Sequence, residues 1–68
     1  MSSSWSIVVK TNGSPWSFVK AEVSRERAEE KAKEIQKTLS PLYREVEVKI
    51  LPGVVIEARD ILRALKER

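Results

Sequence analysis

Trp5-Ser6-Ile7-Val8-Val9-Lys10-Thr11-Asn12-Gly13-Ser14-Pro15-Trp16-Ser17-Phe18-Val19-Lys20 is the stretch on which the fold turns. Two runs rich in β-branched and aromatic residues flank an Asn-Gly pair, the dipeptide best suited to the positive-φ positions of a tight hairpin turn. The stretch reads as strand, turn, strand, with Pro15 at the opening of the second strand, where a missing N–H is tolerated. A two-residue Asn12-Gly13 loop sets Val9 opposite Trp16, Ile7 opposite Phe18 and Trp5 opposite Lys20. In that register Trp5, Ile7, Val9, Trp16 and Phe18 share one face, while Val8, Val19, Ala21 and Val23 share the other. Asn12-Gly13-Ser14 also matches a glycosylation acceptor, but the turn accounts for it.

Downstream, Ser24 is a good helix N-cap, and Glu26 and Glu29 sit where they favour the helix dipole. Ala28, Ala32, Ile35 and Leu39 recur at helical spacing, giving a narrow amphipathic helix that ends at Ser40-Pro41. Glu29 and Lys33 are placed for an i,i+4 pair. Residues 43 to 51 then alternate, with Val46, Val48 and Ile50 on one side and Glu45, Glu47 and Lys49 on the other, as in a strand with one wet face. Beyond Pro52-Gly53, Val54, Ala58, Ile61 and Leu65 fit a helical stripe. Val54-Val55-Ile56, three β-branched residues together, also fits a short extra strand over 54–57. From Arg59 to Lys66 the pattern is helical. The expected fold is α+β: hairpin, helix, strand, helix (ββαβα), two layers, with both helices on one face of a small antiparallel sheet. Residues 1–4 are expected to be a disordered Ser-rich start, and 5–68 a single domain.

At 68 residues such a domain has a marginal core, and with neither Cys nor His it has no disulfide and lacks the commonest metal ligands to reinforce it. No cofactor is expected. Self-association, or very regular local structure, is the remaining support. Thirteen Lys and Arg against ten Asp and Glu give a net charge of +3, spread along the chain rather than clustered. A charged fraction of 34% with mixed signs suits a thermophile protein or an idealised designed domain. The apolar runs are too short to span a membrane, and Met1 to Trp5 do not read as a secretory signal, so a cytoplasmic location is expected.

Catalysis is disfavoured, because the usual general base and thiol nucleophile are both missing and two glycines make no phosphate loop. Glu45 and Glu47 point the same way along a strand, but with Lys49 alongside they read as a solvated sheet face. The hairpin is more informative. Apolar groups on both its faces exceed what two slim helices on one side can cover, leaving a surface of the kind that marks a partner site. Candidate anchors are Trp5, Trp16 and Phe18 or, if those aromatics form the core, Val8, Val19 and Ala21. The expected partner is a second copy, as a homodimer, or another protein.

A second candidate is nucleic acid. Lys10 and Lys20 flank the hairpin aromatics, and Arg59, Arg63 and Lys66 form one ridge of the last helix, where Asp60 and Glu67 lie close by. An artificial scaffold without function fits the composition too.

Val54-Val55-Ile56-Glu57-Ala58-Arg59-Asp60-Ile61-Leu62-Arg63-Ala64-Leu65 resembles the ending of the small dimerising subunit of the KEOPS tRNA-modification complex. In that family a strand with an Ala near its end runs into Asp and then a Leu-Arg-Ala helix. The resemblance covers residues 54–65. It implies a strand, helix, strand, strand, helix order, with Ser14-Pro15 opening a long first helix and Val54 to Ile56 in a strand. It also implies a non-catalytic accessory subunit that dimerises and docks on a larger enzyme.

Overall fold

A computed structural model of the chain describes residues 4–66. Its elements are β1 (Trp5–Thr11), β2 (Ser17–Glu22), α1 (Arg25–Leu39), β3 (Val46–Pro52) and α2 (Ala58–Lys66). The strands form one antiparallel sheet in the order β2-β1-β3, with β1 in the centre. Apart from Ser4, the Ser-rich start falls outside the described residues. Ser4 itself accepts a 2.8 Å hydrogen bond from the Gly53 N–H.

The Asn-Gly turn forms as its residues require. Asn12 and Gly13 take φ of 45° and 77°, and the Ser14 N–H donates to the Thr11 carbonyl at 2.7 Å. Beyond the turn the pairing leaves the register of a plain two-residue loop. Two steps from Thr11 to Val9 are matched by three from Ser14 to Ser17, so Val9 faces Ser17 and Val8 faces Phe18. The extra residue lies in 14–16, outside both strands, where Pro15 has no N–H to give a ladder. A second irregularity follows at once. Ile7 pairs with Lys20, so Val19 is a bulge residue with no partner opposite it.

A slip of one residue exchanges the two faces of a strand. Trp16 and Phe18 are thereby moved from the side of Ile7 to the side of Val8, and the expected row of five large residues on one face does not form. On the other flank of β1, Ile7 faces Ile50, Val9 faces Val48 and Thr11 faces Val46, while Ser6 faces Leu51. Ile7, Val9, Ile50, Val48 and Val46 therefore look one way, and Ser6, Val8 and Leu51 the other.

Each face has its own helix. Ala32 of α1, with Arg25, Glu29 and Lys33, lines a hollow with Val48 and Ile50, and the Arg25 guanidinium lies 5.6 Å from the centroid of the Trp5 ring. On the opposite face Ile61 of α2 forms a buried cluster with Val8, Trp16 and Leu51, against which Val55, Ala64 and Leu65 pack. The α+β class and the ββαβα order stand as read from the sequence, but the helices flank the sheet instead of sharing one side.

α1 is capped as expected, the Ser24 hydroxyl accepting the Arg27 N–H at 3.2 Å. Glu29 is held at 3.1 Å by Arg25, one turn before it, and not by the expected Lys33, one turn after it. On β3 the alternation holds: Glu47 and Lys49 are exposed and Val46, Val48 and Ile50 half-buried.

Val54-Val55-Ile56 belongs to neither strand nor helix. Ser6, fully buried on β1, decides this segment. Its hydroxyl donates to the Gly53 carbonyl at 2.5 Å and accepts the Val55 N–H at 2.9 Å. Val55 is drawn inward while Val54 and Ile56 stay exposed, and α2 is delivered over the Val8 face. Ser14-Pro15 leads into β2, so the element order implied by the tRNA-modification resemblance is not the order found.

Candidate interaction surface

With one helix on each face of the sheet, a patch of apolar exposure remains at the sheet's edge. β2 is an edge strand, and among the described residues no strand pairs with its outer side. Val19, thrown out of the ladder by the bulge, is 40% exposed. It lines a groove of about 540 Å³ with Ile35, Thr38 and Leu39 of α1, rimmed by Lys20, Lys31 and Glu34. The burial of the helical stripe falls off along α1. Ala28, at the N-terminal end of α1, is fully buried, whereas Ile35 and Leu39 toward its C-terminal end are only half-buried.

The rim is ionic. Lys20 reaches Glu22 at 2.9 Å and Lys31 reaches Glu34 at 3.4 Å. The hydrogen bond from the Lys20 ammonium holds the Glu22 carboxyl below its usual range, with Lys31 and Arg27 of α1 adding positive charge nearby. Charges of both signs thus border an apolar floor.

The anchors expected from the sequence divide sharply. Val8 is fully buried and Trp16 only 8% exposed, so both belong to the core and neither offers an interface. Trp5 and Phe18 are half-buried, Trp5 beneath Arg25. Val19 and Ala21 are exposed, and of the six only Val19 lines the groove. Ile35 and Leu39 were assigned to a helix's inner stripe. No signal within the stripe itself distinguishes them from Ala28, which is fully buried at its N-terminal end.

Of the basic candidates, Arg59, Arg63 and Lys66 do come together. They line a shallow hollow of about 500 Å³ on the outer side of α2, with Leu62 between them and Arg59 paired to Glu57 at 3.4 Å. Lys10 sits opposite Glu47 and Lys20 is bound to Glu22; neither lines that hollow. Glu45 and Glu47 are exposed, and the Glu45 N–H is engaged by the Asn12 side chain. No helix among the described residues is long and apolar enough to cross a membrane.

The chain matches no family model, no curated protein and no solved structure.

Proposed function

We propose that this is a small non-catalytic partner-binding domain that self-associates through the groove between β2 and α1. One observation carries the reading: Val19 is extruded by a bulge at an open sheet edge, directly beside Ile35 and Leu39, which their own chain leaves half-covered. A domain of 68 residues gains proportionally more than a large one from burying such a patch. The contact shifts from the sheet face expected from the sequence to the sheet edge. The bulge and Lys20 both discourage plain strand addition, so the second copy meets side chains of the groove rather than the β2 backbone. Lys20, Lys31 and Glu34 give the rim both signs of charge, as a surface that meets itself about a two-fold axis requires.

Light scattering over a concentration series tests this. The parent should show the mass of a dimer, and Val19→Lys and Leu39→Lys should each return it to a monomer with an unchanged circular dichroism spectrum. A parent that stays monomeric at the highest concentration would refute the reading.

A second reading rests on the α2 hollow, where three cations and Leu62 meet on one exposed ridge. It is a phosphate-bearing partner, single-stranded nucleic acid in the first instance. A gel shift at low salt, weakened by added salt and abolished by Arg63→Glu, would support it. No shift at low salt would remove it.

A further inference from the structure

The carboxamide of Asn12 ties the turn to the start of β3, and it is also the most reactive amide position the sequence offers. An Asn followed by Gly has no side chain shielding the next backbone nitrogen, and a Cβ built at Gly13 would meet nothing within 4 Å. Both residues are exposed, so water and base reach them. The chemistry requires no other partner. After losing its proton to solvent base, the Gly13 backbone nitrogen attacks Cγ of Asn12. The new C–N bond closes a five-membered imide, the Cγ–Nδ2 bond breaks, and ammonia leaves with a proton from water. A second water then opens the ring at either carbonyl, giving aspartate or its isomer linked through the side chain.

Two features of the structure oppose the first step. Asn12 is held in the left-handed region at φ 45°, in a turn closed by the Ser14 to Thr11 hydrogen bond. Its main-chain N–H donates to the Glu45 carbonyl at 2.9 Å, and its Oδ1 accepts the Glu45 N–H at 3.0 Å. This double bond pair ties the side chain to the start of β3, and ring closure needs both the carboxamide and the backbone to rotate. We infer that Asn12 is a self-modification site kept latent by Glu45, and that opening of this clamp sets the rate of its conversion. The aspartate product keeps an acceptor for the Glu45 N–H and lowers the formal charge of +3 by one. The isomer inserts a methylene into the main chain of the turn, and the clamp cannot re-form.

The experiment incubates the full chain at mildly alkaline pH and follows the tryptic fragment Thr11 to Lys20 by mass spectrometry. Conversion in the folded parent should be slow and in the urea-unfolded chain fast. Glu45→Pro removes the N–H that Oδ1 accepts, together with an exposed side chain, at a position preceding β3, keeps the carbonyl that accepts the Asn12 N–H, and should raise the rate while circular dichroism still reports a folded chain. Should that variant not fold, the parent in urea below its unfolding transition should already convert faster than in water. A folded parent that converts as fast as the unfolded chain would overturn the inference. So would a Glu45→Pro rate equal to the parent's, or a parent rate that rises only with global unfolding.

Discussion

Phe18 lies opposite Val8, not Ile7, across the first two strands. That single displacement decides the distribution of apolar side chains. With Trp16 and Phe18 on the Val8 side, Ile61 of α2 packs on that face, while Ala32 of α1 lies beside Val48 and Ile50 on the other. The proline segment before β2 and the bulge at Val19 are the two places where the register is set, and the second also supplies the exposed valine of the groove.

The register has an energetic signature. In a double-mutant cycle, Val8→Ala and Phe18→Ala should be coupled by roughly 0.2–1 kcal/mol, as cross-strand neighbours are. Ile7→Ala and Phe18→Ala, on opposite faces, should be additive within about 0.5 kcal/mol. Urea denaturation of the three single variants, the two double variants and the parent measures both.

Coverage of the Val8 face by α2 makes neighbouring residues of that helix behave very differently. Ile61 is fully buried and Leu62 is 46% exposed. Ile61→Ala should cost about 2–5 kcal/mol, enough to unfold much of so small a domain, while Leu62→Ala should stay within about 0.5 kcal/mol. Thermal denaturation of the two variants distinguishes them.

Ser6 links β1 to the connection before α2 through both functions of one hydroxyl. Ser6→Ala leaves the Gly53 carbonyl and the Val55 N–H without that partner inside the protein, and should cost roughly 1–3 kcal/mol. Hydrogen exchange at Val55 should accelerate more than exchange at Ile50, on the far side of β1's pairing.

Glu22 gives an acid dependence of defined sign. Its folded pKa is depressed, chiefly by the hydrogen bond from Lys20, so its contribution is complete above the ordinary glutamate pKa. That contribution is lost as pH falls through the lower, folded value. Glu22→Gln should therefore lie below the parent in melting temperature at neutral pH and converge on it in acid.

Much of the architecture was legible in short-range chemistry. Asn12-Gly13 marked the turn, Ser24 the start of α1, and the alternation from Glu45 to Ile50 the wet and dry sides of β3, because each depends on residues within a few positions. The pairing of β1 with β2 was not. Pro15 was visible as a residue lacking a donor, but whether the chain spends an additional position there depends on packing against α2, some 45 residues later. The same cause hid the groove. Ile35 and Leu39 look like ordinary core positions until the width of the sheet beneath them is known.

The most direct test of this arrangement is a nuclear Overhauser map of the chain in solution. Cross-strand backbone contacts should join Val8 to Phe18, and the Trp16 indole should touch the Ile61 methyl groups. Backbone contacts joining Ile7 to Phe18, with the Trp16 ring against Ala28 or Ile35 of α1, would contradict it.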